Sequence, residues 1–290
     1  MKFGLISLFI LLLFNSCIEY QNRAAVGGGY GVGESLEGVK QGEWTFYYDK
    51  NQKKAEGHFV NDSAVGDWSF YHPNGKIKEK SYWSSGLLDG DYQVFWKNGE
   101  LRQKGSYVLG RKYGYWEYFS TQGKIQAEGE FENSYKQGEW KFWYANGQLE
   151  AINHFRDSIP HGDLVEYYAD GTLKTKGFYQ YGKKDSIWNK WYSDGTPQHL
   201  INWKNGKLHG LSTTFFRNGI KNSEANYLYG LEHGETSWYH SNGKLQSKGN
   251  YHKGMMHGLF QYFYEDGSFQ EERYFEYGEE KKNYKEAKSL

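Results

Sequence analysis

Apolar and polar positions along this chain recur with a period of 24 residues. Units begin at Gly42, Gly66, Gly90, Gly114, Gly138, Gly162, Ser186, Gly210, Gly234 and Gly258, without insertion or deletion. With the first position of each unit numbered zero, position five is aromatic in every unit, from Tyr47 to Phe263. Position seventeen is aromatic in every unit too, from Phe59 to Phe275. Position nine is Gly in all units but the first, and Asn or Asp usually precedes it, as at Asn74-Gly75, Asn98-Gly99, Asp170-Gly171 and Asn242-Gly243. Such a pair between aromatic-rich runs predicts a tight hairpin turn with both central residues at positive φ. Each unit therefore reads as strand, tight turn, strand and longer loop. An internal repeat of this length marks a stacked array.

A two-residue turn at positions eight and nine sets a register. Position six pairs with eleven, four with thirteen and two with fifteen. Side chains alternate between the two faces of a strand. One face then carries positions two, four, six, eleven, thirteen, fifteen and seventeen, such as Trp44, Phe46, Tyr48, Gly57 and Phe59. Trp44 opposite Gly57 and Trp116 opposite Gly129 leave room for a ring to lie over backbone. The predicted fold is all-β, an elongated single antiparallel meander of about ten tandem 24-residue β-hairpin repeats over residues 42–281. A charged tail follows at 282–290.

The N-terminus has a different pattern. Lys2 precedes an apolar run, Phe3 to Phe14, shorter than the ~20 residues a spanning helix needs and of signal-peptide length. Asn15, Ser16 and Cys17, the only cysteine, follow. Ser16-Cys17 resembles a bacterial lipoprotein signal, with Phe14 and Asn15 where that pattern prefers Leu and a small residue. Residues 1–16 are expected to be a signal peptide and Cys17 the lipid attachment site. Residues 17–41, with Gly27-Gly28-Gly29 and Gly31-Val32-Gly33, are expected to be a flexible tether. This places the protein in the bacterial cell envelope, anchored to a membrane.

Composition narrows the function. Aromatic residues are 19% of the chain, which argues against disorder. The formal net charge is zero, and no basic excess points to nucleic acid. One cysteine allows no internal disulfide. His161, His209, His233 and His257 share one repeat position. Equivalent positions two strands apart are separated by ~9.6 Å, too far for ligands sharing one metal at ~2.1 Å, so their expected role is loop packing. No nucleophile, acid/base or phosphate-cradle arrangement appears. The expectation is a non-enzymatic protein without cofactor or metal.

The stretch Trp203-Lys204-Asn205-Gly206-Lys207-Leu208-His209-Gly210, with the turn at Asn218-Gly219, resembles a MORN repeat. The elements His233-Gly234 and His257-Gly258 repeat its His-Gly signature. The opening Gly42-Glu43-Trp44-Thr45-Phe46-Tyr47 resembles the bacterial MORN variant known as YwqK-type antitoxin. The resemblance covers about four fifths of the chain. It implies hairpins side by side in one sheet, a scaffold or protein-binding role, and no catalytic residues.

A single sheet leaves its aromatic face without a second layer, so either the sheet covers its own rings or a partner does. The candidate binding face is the row of position-six rings, Tyr48, Trp96, Tyr144, Tyr168, Tyr192, Phe216 and Tyr264. The leading expectation is a membrane-tethered scaffold holding a protein partner there. A glycan-binding surface lipoprotein and a YwqK-type protein neutralising a toxin are the alternatives.

Overall fold

A computed structural model describes residues 29–49 and 51–281. The signal segment, Cys17 and the charged tail lie outside the described residues. The described residues contain no helix, and their 23 strands belong to one antiparallel sheet, the fold class expected. Twenty strands come from ten hairpins. One precedes them (Tyr30–Leu36) and one follows (Glu279–Glu280). The leading strand of the last hairpin is split into Met255–Met256 and Gly258–Phe263.

The chain divides into two compact units, residues 1–135 and 136–290. In the first, the sheet starts inside the segment expected to be a tether. Strand Tyr30–Leu36 pairs with Val39–Tyr47. Gly31 and Gly33 are not spacers. A Cβ on Gly33 would fall 2.5 Å from the Trp44 ring, and one on Gly31 would fall 2.9 Å from Phe46. Composition suggested flexibility, but these glycines are bare because two rings rest on them.

The same contact recurs between successive hairpins. Trp44 does pair with Gly57, as the register predicts, but the ring lying over Gly57 is Trp68 of the next hairpin. A Cβ there would sit 2.2 Å from it. Trp116 likewise covers Gly105. In the second unit, Trp188 covers Gly177 and Phe260 covers Gly249, each at 2.3 Å from an added Cβ. Where the position-two side chain shrinks, its neighbour grows. Leu164 pairs with Asn153, Ser212 with Ile201 and Thr236 with Ala225. In the first two pairs the larger neighbour takes up volume that the smaller side chain gives up, as close-packed interiors require. The covering rings meet position-seventeen rings edge-on, Phe59–Trp68 at 5.0 Å and Tyr179–Trp188 at 4.9 Å, the arrangement aromatic quadrupoles favour. Trp68, Trp116, Trp140 and Phe260 are almost fully buried. The aromatic face thus buries its own rings.

The two turns exchange the roles expected of them. At the Asn-Gly turn, His72 O accepts from Gly75 N–H (2.9 Å), and His72 N–H donates to Lys76 O (2.8 Å). Only Gly75 has positive φ, 81°. This is a three-residue loop, a type I turn closed by a left-handed residue. In the first hairpin Asn51 takes that place at φ 77°. The extra residue slides the register after position four. Phe70 still pairs with Glu79, but Tyr71, at position five, pairs with Ile77, at position eleven. Position six is therefore moved to the end of the strand, where its N–H makes the closing bond to position ten. The connection expected to be longer is the tighter one. Ser84 pairs with Leu87 around Ser85 and Gly86, at φ 49° and 78°. Bulky residues at the first of these positions, including Leu109, Tyr181 and Tyr229, hide this two-residue turn from composition rules.

Position zero is a bulge with positive φ in every unit. Ser186 alone lacks glycine there, at φ 60°. A left-handed residue with a Cβ costs ~1–2 kcal/mol, so Ser186→Gly is expected to stabilise the chain by ~1 kcal/mol in urea unfolding. Gly105→Ala, which drives a methyl into Trp116, is expected to destabilise it by ~1–3 kcal/mol. Equal stability of the two variants would contradict the packing account.

Candidate functional site

The position-six rings sit at the Asn-Gly edge of the sheet, where the register slip puts them. All but Tyr264 are half-buried, and most are anchored. Tyr48 Oη donates to Tyr71 O at 2.8 Å and Trp96 Nε1 to Phe119 O at 3.1 Å. Tyr144 Oη donates to Tyr167 O and Tyr168 Oη to Trp191 O, both at 2.8 Å, and Tyr192 Oη donates to Phe215 O at 3.2 Å. His72 and His240 place Nε2 3.0 Å from the same carbonyl of the next hairpin. Each ring tip thus ties one turn to the following one. Burial raises the pKa of Tyr48 and Tyr144. Phe216 has no polar tip, and Tyr264, in the last hairpin, is exposed.

Position eight adds a second rung. Asn74 Nδ2 donates to Lys97 O and Asn98 Nδ2 to Thr121 O. Asn146, Asn218 and Asn242 do the same to Ala169, Ser241 and Glu265, all at 2.7–2.9 Å. Each also accepts, through Oδ1, the backbone N–H two residues on, as Asn74 does from Lys76. Asp170 and Asp194 keep the accepting half, from Thr172 and Thr196. That bond holds both carboxyls below the usual range. An ionised carboxylate has no proton to give the next turn.

Between the two edges, position 22 holds lysines against rings. Lys112 lies 4.0 Å from the Trp116 ring centre, Lys136 4.2 Å from Trp140 and Lys184 4.1 Å from Trp188. Phe142 and Phe155 complete a three-ring enclosure around Lys136. Burial lowers the Lys136 pKa to about 8.

The opposite edge, at the two-residue turns, carries what the sequence reading missed. Tyr181, Tyr229 and Tyr277 hold φ of 47°, 52° and 48° and are 60–62% exposed. Each packs at a tilt against a histidine of the preceding unit: His161–Tyr181 at 4.5 Å, His209–Tyr229 at 5.1 Å and His257–Tyr277 at 5.0 Å between ring centres. His161 Nδ1 also accepts the Tyr181 N–H at 3.3 Å. Gln41, Asp89, Gln137 and Asp185 cap the equivalent N–H of Asn61, Leu109, Asp157 and Asn205. His161 thus joins this series of turn-capping acceptors, whereas His209, His233 and His257 at the same position bury Nδ1 without a hydrogen-bond partner and serve the turn by ring packing. Among the described residues no group of three His, Cys, Asp or Glu is arranged to hold a metal ion. The tyrosines escaped sequence reading because they fall in every second unit, outside any column constant across the repeat.

Ten like hairpins, packed within each unit by ring-over-glycine or equivalent side-chain contacts and tied by hydrogen-bond rungs along the Asn-Gly edge, define a tandem-repeat protein of the kind that presents surfaces. The chain belongs to the MORN repeat variant family. The family matches residues 40–61, 64–84, 88–108, 136–157, 160–181, 208–229, 232–253 and 256–277. The hairpins between these matches, with strands Arg111–Phe119 and Ile125–Glu132, and Lys183–Trp191 and Pro197–Lys204, are built the same way. No curated protein matches the chain. Among solved structures, TcdB2-TccC3 is 10% identical with a TM-score of 0.14, covering 84% of this chain and 17% of that one. TcdB2-TccC3-Cdc42 is 8% identical with the same TM-score, covering 86% and 18%. The chain spans less than a fifth of the length of these structures, and TM-scores this low carry no argument.

Asp170→Asn with Asp194→Asn restores the missing donors and is expected to raise Tm. A carboxyl held low contributes stability above its unfolded pKa and loses it as pH falls through the folded pKa. The double variant should therefore also soften the loss of stability below about pH 4. Thermal melts from pH 3 to 7 check both. For Lys136, the folded pKa lies below the unfolded one. Burying the ammonium costs ~3 kcal/mol by the size of that shift, more than the ~0.5–2 kcal/mol a ring contact returns. The penalty is full below about pH 8, shrinks as pH rises through the folded pKa and is nearly gone at the unfolded value of 10.5. Lys136→Met should stabilise the chain at pH 7 but not at pH 10.5, and a pH-independent effect would show that charge burial is not the cause.

Proposed function

We propose that this chain is a non-enzymatic scaffold, tethered to a membrane of the bacterial cell envelope through lipid on Cys17, that holds a protein partner. The observation supporting the reading is the row of tyrosines kept exposed at left-handed turn positions. A bulky residue there costs backbone strain that Asn or Gly would avoid. The ring also spends most of its area in water, so packing does not repay the strain. Strain of this kind is expected where a residue has work beyond the fold. The repeat adds reach, because successive hairpins present equivalent side chains at regular intervals.

Labelling with a fatty-acid probe is expected to mark the wild-type chain and not Cys17→Ala, which should leave the membrane fraction. Cross-linking in the native envelope is expected to capture one protein with the anchored chain. A chain that labels equally in both forms, or that cross-links to no protein, would overturn the corresponding half of the reading.

A further inference from the structure

The second unit concentrates exposed apolar and basic groups along one edge. Its two-residue turns at 180–183, 204–207, 228–231 and 252–255 carry Lys183, Lys204, Lys207 and Lys253 and no Asp or Glu. All four lysines are exposed, and none is ion-paired among the described residues. Beside them stand Tyr181, Leu228, Tyr229, Leu231 and Met255, between 41% and 62% exposed; the following turn sets the exposed Tyr277 between Glu276 and Glu279 and ends the basic stretch. Leu231 packs over Gly254 and Ile159 over Gly182, so this edge is assembled across successive hairpins and exists only in the folded array. The Asn-Gly edge of the same unit differs: its turns carry Asp170, Asp194 and Asp266, and its ring tips are occupied by carbonyls.

We propose that the two-residue-turn edge of residues 180–277, and not the row of position-six rings, is the docking surface, and that it takes an acidic, extended segment of a partner protein. The inference rests on the protein-scaffold reading and specifies its surface and partner. Two observations carry it. The first is charge: between residues 180 and 255, three of the four turns carry exposed ammonium groups without an ion pair and none carries a carboxylate, a bias that steers and retains a segment of opposite sign. The second is preorganisation. Tyr181, Tyr229 and Tyr277 are each fixed by a left-handed backbone and by a histidine ring within 5.1 Å. They recur every second hairpin, a spacing of ~19 Å for four strand separations. Rings fixed before binding lose little entropy on binding, and tyrosine is among the residues that dominate protein interfaces. A fluid lipid surface has no use for fixed rings at fixed spacing, so the observations favour a protein segment over a membrane.

The strain supplies the test. Asn tolerates left-handed backbone better than Tyr, so Tyr181→Asn, Tyr229→Asn and Tyr277→Asn together remove the rings while relieving the turns. The probes are a random glutamate–tyrosine copolymer, a lysine–tyrosine copolymer of the same length, polygalacturonate, and vesicles of phosphatidylglycerol, each titrated against the purified full chain. The expected result is saturable, salt-sensitive binding of the acidic copolymer only. The triple Asn variant should weaken it at least tenfold while its Tm holds or rises. Reversing Lys204 and Lys207 to Glu should weaken it again. Absence of acidic-copolymer binding, or binding that survives the Asn variant unchanged, overturns the proposal. So does polygalacturonate or vesicle binding that depends on the same tyrosines, because the occupant would then be a glycan or a lipid surface. A partner cross-linked in the envelope through another surface would leave the scaffold reading standing after this edge had failed.

Discussion

The contact on which this fold depends is an aromatic ring laid on bare backbone. At Gly57, Gly105, Gly177 and Gly249 the position-two ring of the following hairpin lies over the position-fifteen glycine, close enough that a methyl would collide. A single sheet has no opposing layer, so its apolar face must be covered from within. A glycine removes the Cβ that would hold the ring off, and the ring then shields both the peptide and its neighbours. A pair without a glycine shows that the constraint is one of volume: Ser212 with Ile201 fills the same space with the sizes reversed. Ladder pairing already joins each hairpin to the next, and this contact adds the side-chain packing that covers the apolar face between them.

The two edges of the sheet follow from the two turns. The three-residue loop at the Asn-Gly turn adds one residue, and that residue moves position six to the end of the strand. Its ring tip then reaches the carbonyl of the next turn, and Asn at position eight adds a parallel bond. The edge is a closed ladder in which most polar groups are answered. The two-residue turn leaves no such slack. It forces two consecutive residues into left-handed backbone, and the side chain on the first is thrown outward. Where that side chain is Tyr, a histidine ring supports it from behind. One edge is therefore built to hold the array together, and the other presents side chains.

The charged groups illustrate how far local environment alters a residue that looks ordinary in sequence. Lys136 and Lys204 are both lysines near aromatic positions. Lys136 is enclosed by Trp140, Phe142 and Phe155, and its pKa falls to about 8. Lys204 stands in water at a turn. Repeat position separates them: position 22 points into the ring-lined face, and position eighteen ends a strand.

Period, hairpin count, strand alternation and the pairing of positions two with fifteen and four with thirteen were determined by sequence alone, because a 24-residue repeat without insertions leaves one antiparallel arrangement that keeps every aromatic column in phase. The MORN resemblance was legible for the same reason. Tertiary structure decided the rest. Both Asn-Gly turn geometries fit the same residues, and only the ladder reveals the extra residue that moves position six to the edge. The ring covering each glycine comes from the next hairpin, a contact that register within a hairpin does not contain. Gly31 and Gly33 read as a loose tether until Phe46 and Trp44 are seen lying on them. The exposed tyrosines were invisible because residue type does not disclose φ, and backbone sign at a turn is set by how two strands meet.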